Sequence, residues 1–226
     1  VPIAQKRSKL SPERVITAGI ELADAGGIES LSMRRVGERL GVEAMSLYNH
    51  VANKDALIDG MVDVVFSEID LPVDVDWRTA MQTRGRSALR VLERHPWATP
   101  LMESRKTPGL STLAFLDRTL GILRSAGFTV PMTAHAISVL DAYHYGFALQ
   151  RASLPFETPE ETVELANSIM ADFPVDAFPY LAELTIEHVL KPGYDYLDEF
   201  EFGLDLILDA LAPFSGAEGG PSAQPS

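Results

Sequence analysis

The sequence predicts an all-α fold in two parts, a three-helix N-terminal domain followed by a larger helical one. Three observations predict it. No stretch sustains apolar/polar alternation of period 2, so no sheet is expected. Apolar residues instead recur at steps of 3 and 4 between Pro, Gly and cap residues. The 226 residues are 46% hydrophobic, enough to bury a core without disulfides or metals, and there is no Cys.

Ser11-Pro12 supplies a cap and a first-position Pro, and Gly26-Gly27 ends the helix between them, whose buried stripe is Val15, Ile16, Ile20, Leu22 and Ala23. Ser32 caps a second helix with Val36 and Leu40 inward, stopped by Gly41, because a residue just past a helix end commonly needs positive φ. A short third helix spans residues 44–50. A longer one runs over 54–69, with Leu57, Ile58, Met61, Val62 and Val65 on one side, until Leu71-Pro72. Further helices are expected at 77–94, 110–126, 132–152, 159–171, 179–190 and 194–211. The small, polar tail 215–226 is expected to be disordered. The division is therefore a basic arm at 1–10, a reading domain with its connecting helix at 11–71, and a second domain at 72–214.

The third helix is too polar outside for a core element. Val42, Leu47 and Val51 can face inward, leaving Ala44, Met45, Ser46, Tyr48, Asn49 and His50 outward. Small, hydroxyl, amide and aromatic groups in that arrangement suit base edges and phosphates. Charge distribution fits the same partner. The chain totals −13, but residues 1–54 hold 8 Lys/Arg against 6 Asp/Glu, net +2, leaving 11 against 26, net −15, for the remainder. Lys6, Arg7 and Lys9 precede the first acid and form an arm suited to a phosphate backbone or the minor groove, or simply to solvent. No apolar run reaches membrane-span length and VPIAQKRSKL lacks a signal-peptide core, so a cytoplasmic protein without membrane contact is expected.

The Gly-ended helix, the helix-turn-helix SMRRVGERLGVEAMSLYNHVANK and the run LYNHVANKDAL resemble the tetracycline repressor (TetR) family, as do GFT at 127–129 and FEFGLDLILDAL from Phe200. That resemblance implies a transcriptional regulator with recognition helix 44–50. Arg34 would present its donor fork to guanine, and Ser46 and Asn49 would bond base edges. Ala44 and Met45 would touch thymine methyls, while Tyr48, His50 and Lys54 hold phosphates. Arg35 and Arg39 are expected to be solvated or paired with Glu38 and Glu43. Asn49 and Met45 depart from the tetracycline repressor's own aromatic and Pro, so the operator should differ.

One two-helix reader contacts a single half-site, so a palindromic operator and a homodimer are expected. On the last helix Leu197, Phe200, Leu204, Ile207, Leu208 and Leu211 form a stripe opposite Asp198, Glu201, Asp205 and Asp209. Such a stripe also suits packing within its own domain. The family bundle implies that it dimerises together with Ala142 and Gly146 of the long helix at 132–152. The second domain mixes apolar bulk and polar groups in Trp97, Met102, Phe115, Leu116, Leu120, Tyr143, His144, Phe147 and Gln150. Composition alone favours a helical core here, whereas the resemblance implies a pocket for a small organic effector that releases DNA. The segment TPLMESRKTPG, where the tetracycline repressor has a metal-holding His, contains none, so metal-chelated tetracycline is not the expected effector, and neither a metal nor a cofactor is called for. Rival classes are weaker. Asp141 and His144, with His135, could be drawn as a catalytic cluster, but no phosphate loop, nucleophile elbow or HExxH accompanies them. A helical adaptor leaves the outward face of 44–50 unexplained. A ligand-responsive activator shares the whole reading, because the sign of regulation depends on operator position.

Overall fold

The computed structural model describes residues 9–216, and helices are the only regular elements among them. The basic arm, except its last two residues, and the tail beyond residue 216, both expected from the sequence, lie outside the described residues. Ten α-helices follow in order: α1 Pro12–Gly26, α2 Met33–Leu40, α3 Ala44–Leu47, α4 Lys54–Ser67, α5 Trp77–Arg94, α6 Leu110–Ser125, α7 Val130–Ala152, α8 Pro159–Met170, α9 Pro179–Leu184 and α10 Tyr196–Leu211. Short 3-10 turns at Ile28–Ser30, Pro96–Leu101 and Ala212–Phe214 complete the described helical elements with a π-turn at Thr185–Val189.

Caps set the boundaries. Ser11, Ser32, Asn53, Asp76, Thr129 and Thr158 each accept a backbone N–H of the first turn of the following helix. Gly41 closes α2 in the left-handed region, at φ 66°. Three helices differ from their expected bounds. The helix called over 44–50 ends at Leu47, because the Leu47 carbonyl accepts from both His50 and Val51 and the chain must leave the helix before Asn53 caps the next one. The one called over 179–190 gives way to a π-turn after Leu184. The last one starts two residues later than called, at Tyr196, where Asp195 caps it.

The connecting helix α4 runs through the middle. Leu57, Ile58, Met61, Val62, Val65 and Phe66 are buried on it. α1 approaches one side so closely that a Cβ on Gly19 would lie 2.8 Å from Met61 Sδ, and one on Gly60 would lie 2.7 Å from Ile16 Cδ1. On the other side Phe66 meets Phe115 of α6, ring centroids 5.5 Å apart.

α5, α7 and α10 form the second body. Phe200, Leu204, Leu208 and Leu211 are all buried within this one chain. The expectation that they dimerise is therefore corrected: the stripe packs inside its own domain. The reason is electrostatic as well as apolar. Glu201 receives a two-pronged bond from Arg86, at 2.7 and 2.8 Å, and Arg78 reaches Asp205 and Asp209, so the supposed wet side faces the α5 arginines. Tyr143 Oη donates to the Phe200 carbonyl at 3.0 Å and pins α7 to α10. The GFT segment plugs the bundle: Gly127 turns at φ 93° and Phe128, fully buried, meets Trp77 edge-on at 5.1 Å.

Candidate nucleic-acid interface and effector cleft

At the reading head the inward set is as expected. Leu47 and Val51 are buried, and Met33 and Val36 carry α2 onto the same core. Gly37 allows α2 and α3 to meet, since a Cβ there would lie 2.8 Å from the Val42 carbonyl. Outward, Met45 is 75% exposed and Tyr48 44%, with Asn49 and Lys54 also exposed; Ala44, Ser46 and His50 are half-buried. An exposed Met on the outer face of a four-residue helix has no role in folding, and this face is where a groove would be met.

Arg34 is almost wholly exposed and its Nε donates to Glu38 Oε1 at 2.8 Å, which raises its pKa by hydrogen bonding and charge. Arg35 and Arg39 are exposed, as expected, but their partners are not Glu38 and Glu43. Arg39 pairs with Glu21 of α1, and Arg35 donates to the Ser30 carbonyl at 2.8 Å, so both brace the three-helix domain.

The pocket residues separate. Leu116 and Leu120 line an open cleft of about 580 Å³ between α6 and α7, with Glu103, Ala134, Ile137, Ser138, Asp141, Ala142 and Tyr145. The other seven residues of the expected set do not line it; Phe115, 5% exposed, lies under the Arg84 guanidinium. Met102 and Phe147 are core, and Gln150 lies exposed on α7. Tyr143 is engaged with α10; burial first, then the nearby Glu199, pushes its pKa up to about 12. Trp97 is buried against the reading domain, where its Nε1 donates to Asp24 at 2.6 Å. His144 is interior, packed against α5 and α10: a Cβ on Gly85 would lie 2.7 Å from its Nε2, and its ring centre is 6.0 Å from that of Phe200.

Behind Asp141 lies Arg84, 3% exposed, bonded to Asp141 and with its guanidinium 5.3 Å from the Phe115 ring centre. Sequence reasoning missed this arginine. The signal was available, because Arg84 falls among Ala80, Met81, Ala88 and Leu92 on the buried stripe of α5. Burial, then the charge of Arg84, holds His144 near a pKa of about 3, a neutral imidazole.

The loop bordering the cleft also grips α4. Arg105 Nε donates to Asp59 at 2.5 Å, and the hydroxyl and backbone N–H of Thr112 reach Asp63 at 2.9 and 2.7 Å. Burial opposes ionisation of Asp63, but these bonds outweigh it and hold the carboxyl below its ordinary range. Asp59 and Asp63 stand one turn apart on α4, so the segment that leads into α6 is bonded to the connecting helix at two points.

Residues 15–61 match the family described as bacterial regulatory proteins, tetR family, and residues 71–213 match the tetracyclin repressor-like, C-terminal domain. The chain belongs to the TetR family. It is 33% identical to the HTH-type transcriptional repressor DrrR1 of Streptomyces coeruleorubidus, over 98% of this chain and 84% of that one. It is 28% identical to the class A tetracycline repressor from transposon 1721 of Escherichia coli, over 91% and 92%. Among solved structures it resembles Streptomyces coelicolor ActR in complex with actinorhodin, with TM-score 0.76, 26% identity, and coverage of 94% and 100%.

As a TetR-family protein the chain is a helix-turn-helix DNA-binding regulator of transcription and not an enzyme. The Asp141–His144 pair drawn as a catalytic alternative has a structural use, since Asp141 neutralises buried Arg84. No described helix is long and apolar enough to cross a membrane.

Proposed function

We propose that this TetR-family regulator is a cytoplasmic repressor that binds a palindromic operator as a homodimer and is released by a small organic effector. The observation that carries the reading is the outward face of α3 and the turn after it. Met45, Tyr48 and Asn49 stand exposed there beside Arg34 and Lys54, on a domain whose own core is already complete without them. Arg34 and Asn49 read base edges, Ser46 bonds an edge or a phosphate, Ala44 and Met45 contact thymine methyls, and Tyr48, His50 and Lys54 position the backbone.

The two-fold contact uses a face rotated from the one the stripe suggested. On α7, Val139, Ala142, Gly146 and Leu149 are exposed at steps of 3 and 4, and a Cβ on Gly146 would meet nothing within 4 Å. On α10, Phe202 is 69% and Leu206 60% exposed. A helix pair with an apolar outer face and small residues at its centre is built for close approach by a second pair. Leu197 lies at its margin and half-buried Ile207 packs against the core.

Release requires that the effector bind the non-DNA-competent conformation better than the competent one. A hundredfold loss of operator affinity corresponds to about 2.7 kcal/mol of differential binding. The α6–α7 cleft supports this role by its size, the start of α6 and the loop before it are bonded to α4, and the ActR structure, of similar fold, is in complex with actinorhodin. The deciding experiment is selection of bound duplexes from a random pool. A two-fold symmetric consensus is expected; the absence of any preference over random competitor at moderate salt overturns the reading.

A further inference from the structure

Sulfur is the side-chain atom most readily oxidised, and its distribution in this chain is lopsided. There is no Cys, and all seven Met fall within the described residues. Met33, Met61, Met81 and Met102 are buried, Met132 packs half-buried against the core, and Met170 is half-buried at the end of α8. Met45 alone among them is exposed, at 75%. An oxidant in solution therefore meets the Met45 sulfur first, and no thiol competes for it.

The position gives that reactivity a consequence. Met45 is the second residue of α3, and buried Leu47 and Val51 hold this segment on the core without it. A polar group at Met45 stays in water in the free protein and leaves the head folded. Against DNA the surroundings change. On the reading of this face as the one that enters the groove, the Met45 thioether lies at the base edges beside Ala44, where an apolar group meets a thymine methyl. A sulfoxide there must exchange its water for a hydrocarbon partner that cannot hydrogen-bond, which is unfavourable.

Resting on that reading, we propose that Met45 is an oxidation site through which a peroxide lowers the affinity for the operator. A sulfur lone pair attacks one peroxide oxygen, the O–O bond breaks and an S–O bond forms. With hydrogen peroxide, the proton of the transferred hydroxyl passes to the departing hydroxide, giving water. Sulfur is oxidised by two electrons and the peroxide is reduced by two. The product is methionine sulfoxide, polar and chiral, which methionine sulfoxide reductases return to the thioether. Bound DNA covers Met45, so the operator protects the site and the free protein is the form that reacts.

The test treats the full chain with limiting hydrogen peroxide, free and bound to the selected operator duplex, and locates the added oxygen by peptide mass spectrometry. Met45 is expected to be oxidised before any other methionine, and more slowly on DNA. The oxidised protein should bind the operator about tenfold or more weakly, with an unchanged circular dichroism spectrum and melting midpoint. Reductases for both sulfoxide epimers should restore binding. Met45→Leu keeps an apolar side chain without sulfur, so the same treatment should leave its operator affinity where it began, whatever that value is. A different methionine oxidised first, operator affinity that survives oxidation of Met45, or an equal loss in Met45→Leu overturns the proposal. Should the untreated chain select no duplex, the reading of the face falls and the proposal with it; should it select one that the oxidised chain binds as tightly, the DNA reading stands and only the oxidation site's effect falls.

Discussion

His95 and Asp24 join the two domains: His95 Nδ1 lies 2.7 Å from the Asp24 carboxylate on the last turn of α1. Trp97 Nε1 donates to the same oxygen at 2.6 Å, and His95 Nε2 reaches Glu68, just past α4, at 3.3 Å. One carboxylate of the reading domain is thus held by two buried side chains from the end of α5. Asp24→Ala would leave both donors without it, and a buried unsatisfied donor costs about 1–3 kcal/mol. The variant is expected to lose stability in that range in urea melts. An unchanged midpoint would show that the junction contributes nothing.

At the reading head, Arg34 and Lys54 separate specification from positioning. Arg34→Ala should lose about 1–3 kcal/mol on the selected operator and relax preference at one base pair. Lys54→Ala should weaken all duplexes alike and reduce the slope of log affinity against log salt by about 1. Competition assays over a range of salt read both effects. A base-specific loss at Lys54 would reverse the assignment of roles.

The two faces of α10 predict opposite failures. Phe202→Glu places a charge on an exposed apolar position, so the chain should fold normally but sediment as a monomer and lose operator affinity. Leu204→Ala opens a cavity at a fully buried site and should cost about 2–5 kcal/mol in stability. A Phe202→Glu variant that remains dimeric would remove this face from the interface.

How much of this could be read from the chain follows from what each signal depends on. Ser32, Gly41 and Asn53 act on their own neighbours, so the helix-turn-helix is legible in local sequence, as is the outward set of Met45, Tyr48 and Asn49. Periodicity shows that α10 has an apolar side, but not what covers it. The same stripe suits a partner as well as α5 and α7, which bury Phe200 and Leu204, because helix pairing lies outside any single helix. Phe202 and Leu206 sit among acids and look incidental until the fold exposes them. The cleft was hardest. Trp97 and Tyr143 have pocket-like composition, yet their polar tips are used by Asp24 and the α10 backbone, whereas Arg84 and Asp141 are far apart in sequence and meet only in three dimensions.

Buried His144 gives the fold an acid sensitivity whose sign can be worked out. Its pKa falls from 6.5 to about 3 on folding, through burial first and Arg84 second. The unfolded chain therefore takes up a proton below about pH 6.5 that the folded chain refuses until about pH 3. Stability is fully present above the unfolded value and declines as pH falls, by about 1.4 kcal/mol per pH unit once below it. His144→Leu removes the titrating group and its unpaired Nε2 together, so the variant should lose this component of the slope while other groups keep theirs. Urea melts of both proteins at pH 7.5 and 5.5 measure the difference, which should be about 1 kcal/mol smaller for the variant. Identical pH dependence in the two would show that His144 is protonated in the folded chain, and that the interior around Arg84 is far wetter than its burial indicates.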